Sequence, residues 1–175
     1  MDKLTLKRIK TAHPLIREEL REAYLEANNK MLGKGVRLRL SWVYRFAEEQ
    51  NKLYSKRPKV TNARAWQSIH NYGLAFDIVI LYDNDGNGTF EEASWNTRRD
   101  GDRDNIPDWL EVTRVLEKYG FKNGFFSRGR KWDFPHFQKD FGYKWRDLKR
   151  KIDAGDYFTE SINGKTYMYP NIYED

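Results

Sequence analysis

The sequence predicts an α+β domain in which a small antiparallel sheet is flanked by helices. Some segments repeat apolar residues every three or four positions, which is typical of helices. Shorter segments alternate apolar and polar residues or consist of a continuous apolar run, which is typical of strands. Hydrophobic residues make up 39% of the chain and aromatic residues 15%, which is typical of a globular protein. The length of 175 residues fits a single domain, 1–175, with a substantial core.

Four segments have the apolar spacing or the end signals of helices. Pro14 suits the first position of the first helix, and His13 or Thr11 lies near its cap. Gly120 and Gly155 follow the last two helices, where glycine commonly ends a helix. The predicted helices are 14–32, 47–54, 107–119 and 145–154.

Shorter segments predict strands. Residues 36–40 alternate apolar and basic side chains, and 75–82 contain a continuous apolar run. Residues 132–138 are predicted to be extended because Pro135 disfavours helix at the residue before it. A terminal hairpin is expected around 157–169, with its turn at Asn163 and Gly164. Residues 121–131 are predicted to be a loop beside the functional site.

The stretch 83–106 differs in kind from the rest of the chain. It is polar and acidic, and it contains two carboxylate-rich repeats, which begin at Asp83 and Asp100. Since it separates two motifs that carry histidines, we interpret it as an insertion into the single domain.

Charge and composition exclude several classes of function. The net charge of +6 favours a polyanionic partner, such as nucleic acid or the anionic bacterial cell wall. Acidic and basic residues are interspersed without a long basic block, so a nucleic-acid face is not predicted. The absence of cysteine excludes disulfides, Cys-type zinc fingers and a thiol nucleophile. Residues 1–8 do not form a signal peptide and no apolar run is long enough to span a membrane, so we expect synthesis in the cytoplasm and no membrane insertion.

Two short motifs carry the residues of a metal site. Residues 68–77 read SIHNYGLAFD and place His70 and Asp77 on either side of a glycine, and residues 132–138 read WDFPHFQ and contain Asp133 and His136. Two imidazoles and one carboxylate are a ligand set for catalytic zinc, and a further carboxylate nearby suits general acid–base chemistry. Hydrogen-bonded structural histidines are the alternative at this point.

The paired motifs resemble the zinc D-Ala-D-Ala carboxypeptidase and L-alanyl-D-glutamate endopeptidase family, in its VanY-like and phage endolysin branch, which has the hedgehog/DD-peptidase fold. The resemblance covers roughly 36–82 and 107–142. It implies a small antiparallel sheet that carries a zinc site, with His70, Asp77 and His136 as the ligands. It also implies that Asp133 is the catalytic acid and base, that Arg45 stabilises the oxyanion, and that Ser68 lies near the substrate.

The resemblance implies a peptidoglycan peptidase that cleaves a bond of the stem peptide. An L-alanyl-D-glutamate endopeptidase of the endolysin type is favoured, and a D-Ala-D-Ala carboxypeptidase or a non-catalytic zinc-binding cell-wall module of the same fold are the alternatives. A monomer acting at the cell wall, released on phage lysis, is expected. The segments 65–66 and 123–130 depart from the family pattern and affect the expected substrate preference.

The second acidic repeat fits the twelve-residue template of a calcium loop, followed by a helix. The predicted calcium ligands are Asp100, Asp102, Asp104, the Ile106 carbonyl, Asp108 and Glu111. Asn105 stands where the template has glycine, which is a mild mismatch because Asn tolerates positive φ better than most residues. The first repeat matches less well, since Ser94 stands at its twelfth position. An exposed acidic turn without an ion is the alternative for both.

Overall fold

A computed structural model describes residues 2–127 and 130–172 and contains a central five-stranded antiparallel sheet. The strand order is β1-β2-β5-β4, and β3 also pairs with β2. The strands are β1 (Val36–Trp42), β2 (Ala75–Tyr82), β3 (Glu92–Ser94), β4 (Lys122–Ser127) and β5 (Arg130–Gln138). The first part of β2 pairs with β5 and its last part with β3, so β2 is the central strand.

Helices surround this sheet. They are α1 (Lys3–Ile9), α2 (Pro14–Glu26), α3 (Ala47–Ser55), α4 (Asp108–Lys118) and α5 (Trp145–Asp153). A π-helical turn (Ala27–Met31) extends α2, and a 3₁₀ turn (Ile69–Tyr72) precedes β2. His13 caps α2, since its Nδ1 accepts a hydrogen bond from the Leu15 amide at 3.3 Å. In the described part of the chain, no helix combines the length and the apolar character needed to cross a membrane.

The core lies between the sheet and the helices. Alternate residues of β1 are buried, as the apolar and basic alternation of this segment predicts. In β2 nearly every residue is buried, which explains its continuous apolar run. The apolar face of α4 packs into the same core through Val112, Val115 and Leu116.

A second, two-stranded sheet lies in the C-terminal part of the chain. Strands β6 (Tyr157–Ile162) and β7 (Lys165–Pro170) form the predicted hairpin. Its turn residues Asn163 and Gly164 have φ of 51° and 75°, which the Asn-Gly pair tolerates. The hairpin packs on the N-terminal helices, because His13 Nε2 donates to the Pro170 carbonyl at 3.0 Å.

The predicted α+β class with a small antiparallel sheet is confirmed, one local prediction is corrected, and two short elements were not predicted. Residues 121–131 were expected to form a loop, but β4 and β5 pair there as a hairpin; residues 128–129 lie outside the described part. Helix α1 and strand β3 were not predicted. Helix α1 has little apolar periodicity and is held by its cap, in which Asp2 accepts from the Thr5 amide at 3.2 Å. Strand β3 has three residues and depends on its pairing with β2.

Candidate active site

His70, Asp77 and His136 meet at one point of the molecule. Asp77 and His136 are direct partners across β2 and β5, and cross-strand partners share one face of a sheet. His70 Nε2 lies 3.2 Å from both Asp77 Oδ1 and His136 Nδ1. His136 Nδ1 lies 3.4 Å from Asp77 Oδ1. The structure therefore brings together the side chains that the sequence predicted as ligands.

Gly73 makes this approach possible. It follows the 3₁₀ turn with φ of 72°, a conformation that glycine adopts without strain. A Cβ atom at this position would lie 2.7 Å from the His13 amide nitrogen. The glycine therefore allows the chain to reverse between His70 and Asp77 while it packs against the start of α2.

Outer hydrogen bonds set the tautomers of both histidines. His70 Nδ1 lies 2.9 Å from the Val43 carbonyl, which only accepts, so Nδ1 carries the proton. His136 Nε2 lies 2.8 Å from Gln138 Oε1, and the amide group of Gln138 donates to the Asp140 carboxylate. The remaining nitrogens, His70 Nε2 and His136 Nδ1, are then unprotonated and face the Asp77 carboxylate.

This arrangement fits a small cation. Two nitrogen lone pairs and a carboxylate oxygen repel one another unless a positive charge lies between them. Zinc bound at about 2.0–2.1 Å in tetrahedral geometry separates neighbouring ligand atoms by about 3.3–3.4 Å, close to the observed 3.2–3.4 Å. Burial lowers the pKa of His70, which favours the neutral imidazole that a metal ligand requires.

Asp133 lies beside these residues without joining the group that could hold a metal. It has φ of 58°, in an irregular part of β5 where the pairing with β4 shifts register. Asn123 holds this irregular segment, since its Nδ2 donates to the carbonyls of Phe134 at 2.8 Å and His136 at 3.1 Å. Loss of water contact raises the pKa of Asp133, an effect that His136 partly opposes. A raised carboxyl pKa suits a group that accepts and returns a proton.

Arg45 forms a hydrogen bond with Asp77, one of the predicted ligands. The sequence did not predict this contact. Its Nη2 donates to Asp77 Oδ2 at 3.2 Å, and its Nη1 donates to Gln50 Oε1 at 3.1 Å. Asp77 Oδ1, the other carboxylate oxygen, faces the two imidazoles. The buried Nε of Arg45 has no hydrogen-bond partner among the described residues. The guanidinium thus orients Asp77, and since only two of its five N–H groups are used in these contacts, it retains donors for other acceptors.

An open cleft of about 620 Å³ lies over the group. Its wall combines apolar and polar side chains, including Trp42, Lys59, Val60, Asn62, Ser68 and Trp145. Ser68 lies on this wall, and its place near the substrate stays a prediction. Trp66 packs on Tyr72, with ring centroids 6.0 Å apart. It belongs to one of the two segments that depart from the family pattern. This cleft has room for several residues of a peptide.

The acidic loops lie near the other end of β2. Tyr82, the last residue of β2, donates to Asp108 Oδ2 at 2.7 Å. The carboxylates of Asp100, Asp102 and Asp108 form one close group, and those of Asp102, Asp104 and Glu111 form another. In the first loop, the carboxylates of Asp83, Asp85 and Glu91 form a close group. A calcium-facing carbonyl at Ile106 stays a prediction.

Sequence reasoning did not assign a role to the residues that hold the site in place. Gln138 orients His136, Gln50 supports Arg45, and Asn123 holds the segment that contains Asp133. Of these, Gln138 had a usable signal: it lies two residues after His136 in a predicted strand, so the two side chains share a face. The roles of Asn123 and Gln50 depend on contacts that local patterns do not show.

Comparisons with known proteins agree with this geometry. A family model described as D-alanyl-D-alanine carboxypeptidase matches residues 61–139, a range that includes His70, Asp77, Asp133 and His136. Arg45 lies outside that range. The peptidoglycan L-alanyl-D-glutamate endopeptidase CwlK of Bacillus subtilis (strain 168) is 33% identical to this chain, and the alignment covers 72% of this chain and 72% of that protein.

Proposed function

Since this chain belongs to the D-alanyl-D-alanine carboxypeptidase family and is a metallopeptidase that hydrolyses peptidoglycan, we propose that it cleaves the L-alanyl–D-glutamate bond of the stem peptide. The choice of bond is supported by the similarity to CwlK, whose name states that specificity. The observation that carries the chemistry is the convergence of His70, Asp77 and His136 at 3.2–3.4 Å beneath a cleft.

Zinc is the proposed metal, with His70 Nε2, His136 Nδ1 and Asp77 Oδ1 as its ligand atoms. Two imidazoles and one carboxylate suit zinc, and the hydrogen bonds that the two rings donate to the Val43 carbonyl and to Gln138 Oε1 orient both rings. When bound, zinc supplies a Lewis acid that acidifies a water molecule and polarises the scissile carbonyl.

Asp133 is the proposed general base and acid. Its carboxylate lies on the cleft wall beside the ligands, and partial loss of water contact raises its pKa above the ordinary value, as suits a group that accepts and returns a proton. It accepts a proton from the attacking water and then donates a proton to the leaving amine. Asn123 keeps the backbone around Asp133 in its irregular conformation, so the carboxylate stays on the cleft side.

Arg45 has two proposed roles. Its contact with Asp77 Oδ2 orients the ligand carboxylate. Because the side chain lines the cleft, an Nη N–H group that these contacts do not use donates to the negative charge that develops on the scissile carbonyl oxygen. The loss of either role lowers the rate, but only the first changes metal affinity.

The cleft suits a peptide that carries carboxylates. Trp42 and Trp145 offer apolar surface, Lys59 offers a positive charge, and Ser68 offers a hydroxyl group near the metal ligands. The net charge of +6 favours approach to the anionic cell wall, which we propose as the site of action after phage lysis. We propose that the enzyme acts as a monomer, because the ligands, Asp133 and Arg45 all come from one chain.

A D-Ala-D-Ala carboxypeptidase is the second candidate, supported by the family description and by Lys59, which could pair with a terminal carboxylate. Incubation of the zinc-loaded protein with purified peptidoglycan, followed by mass spectrometry, separates the two. New D-glutamate amino termini support the endopeptidase. Released D-alanine without such termini overturns it in favour of the carboxypeptidase. Neither product, with zinc bound, identifies a non-catalytic module.

A further inference from the structure

The loop between β3 and α4 and the first turn of α4 bring several carboxylates close together, far along β2 from the proposed zinc ligands. Within each of two overlapping groups, one oxygen per residue lies within 4.8 Å of the others. The groups share Asp102 and consist of Asp100, Asp102 and Asp108, and of Asp102, Asp104 and Glu111. The neighbouring cation Arg99 is paired with Glu92 at 2.6 Å instead.

Buried oxygens without partners distinguish this loop from an ordinary acidic turn. Glu111 is 2% exposed and Asp108 is fully buried. Within the described part of the chain, Glu111 Oε2, Asp108 Oδ1 and Asp102 Oδ1 are buried and have no hydrogen-bond partner. A carboxylate that is buried without a donor or a cation is strongly unfavourable. These oxygens therefore indicate a ligand that supplies positive charge.

We propose that the loop 100–111 binds one calcium ion, with Asp100, Asp102, Asp104, Asp108 and Glu111 supplying the oxygen ligands. The donors are all oxygens, which suit a hard cation and not zinc, whose protein ligands usually include nitrogen or sulfur. Several carboxylates match the six to eight oxygens that calcium takes, whereas magnesium keeps more of its water. Burial and the surrounding negative charge raise the pKa of Glu111 to about 7 in the absence of an ion, as expected for crowded carboxylates.

The acidic loop is hydrogen-bonded to the chain before β1 and to the end of β2. Asp102 Oδ2 accepts from the Gly33 amide at 2.6 Å, before β1, and Asp108 Oδ2 accepts from Tyr82 at the end of β2. The loop approaches so closely that a Cβ atom at Gly101 would lie 2.4 Å from the Tyr82 ring. Glu111 is part of α4. Calcium therefore joins the loop, β2 and α4, and we expect it to stabilise the fold.

Thermal unfolding of the zinc-loaded protein in calcium-free buffer with added CaCl₂ tests the proposal. At calcium a hundredfold above its Kd, we expect the Tm to rise by about 5–10 °C. Titration calorimetry should give one bound calcium per chain at this loop. Glu111→Gln should raise the Tm without calcium, because it removes a buried unpaired charge, and should abolish the calcium response.

The first acidic loop provides a matched control. Its cluster of Asp83, Asp85 and Glu91 is more exposed and, among the described residues, contains none of the buried unpartnered oxygens. Asp85→Asn should keep the calcium-induced rise in Tm. An unchanged Tm across millimolar calcium overturns the proposal, as does a full calcium response in Glu111→Gln or an equal response to MgCl₂. None of these outcomes depends on the zinc site or on peptidase activity.

Discussion

The guanidinium of Arg45 donates to Asp77 Oδ2 at 3.2 Å, while Asp77 Oδ1 faces the imidazoles of His70 and His136. One carboxylate thus lies between the proposed metal and the proposed oxyanion-stabilising residue. A change at Arg45 should therefore affect both metal binding and transition-state stabilisation, and the two effects can be measured separately.

Arg45→Met should lower kcat at saturating zinc by about 10²–10³-fold, because a donor to the developing oxyanion is lost. Zinc affinity should fall by about tenfold, because Asp77 loses its orienting partner. Zinc competition with a chelating dye and steady-state kinetics measure the two effects. Arg64→Met is the control, since Arg64 stacks on the Tyr54 ring and is not one of the residues that line the cleft. A normal kcat of Arg45→Met at saturating zinc would mean that Arg45 only orients Asp77 and does not stabilise the oxyanion.

Asp133→Asn should retain zinc and lower kcat by about 10²–10⁴-fold, because an amide cannot accept the proton of the attacking water. Bound zinc per chain and the rate of peptidoglycan cleavage provide the measurement. The control Asp153→Asn removes an exposed carboxylate at the end of α5 and should leave both values unchanged. Full activity in Asp133→Asn would mean that another group moves the proton.

Gln138→Leu should weaken zinc binding by about 10–100-fold, because the His136 ring loses the acceptor that sets its tautomer. Zinc affinity is the readout, together with the Tm of the zinc-free protein to show that the fold persists. Gln67→Leu is the control, because Gln67 lines the cleft but its side chain accepts from the Arg64 amide and not from a proposed ligand. Equal zinc affinities in the two variants would contradict the role assigned to Gln138.

His13 should make the stability of the protein depend on pH. Burial lowers its pKa, and the charge of Arg17 acts in the same direction, whereas the Pro170 carbonyl and Glu160 oppose it. Because the folded form resists protonation, stability is complete above the unfolded pKa of about 6.5 and falls below it by at most about 1.4 kcal/mol per pH unit. His13→Asn keeps a capping side chain and removes the titration. Urea unfolding of both metal-free proteins at pH 7.5 and 5.5 should show a smaller loss of stability in the variant; equal losses would contradict the prediction.

Much of the fold is visible in local patterns. Three such patterns depend only on residues close together in the sequence: the apolar run of β2, the apolar face of α4 and the Asn163-Gly164 turn. Each of these elements is found where the sequence predicts it. Helix α1 and strand β3 were missed because a cap and a strand partner, and not periodicity, hold them.

By itself, the sequence determined the family, the two motifs and the residue types of the metal-binding group, because these depend on identity and spacing along the chain. Only the tertiary structure decided that Asp77 pairs with His136 across two strands and that Arg45 holds Asp77. It also decided that the buried Oε2 of Glu111 has no hydrogen-bond partner among the described residues. The physical reason is that strand register and the burial of polar atoms arise from contacts between distant segments. The energy of those contacts depends on which donors, acceptors and charges meet, and local periodicity does not contain that information.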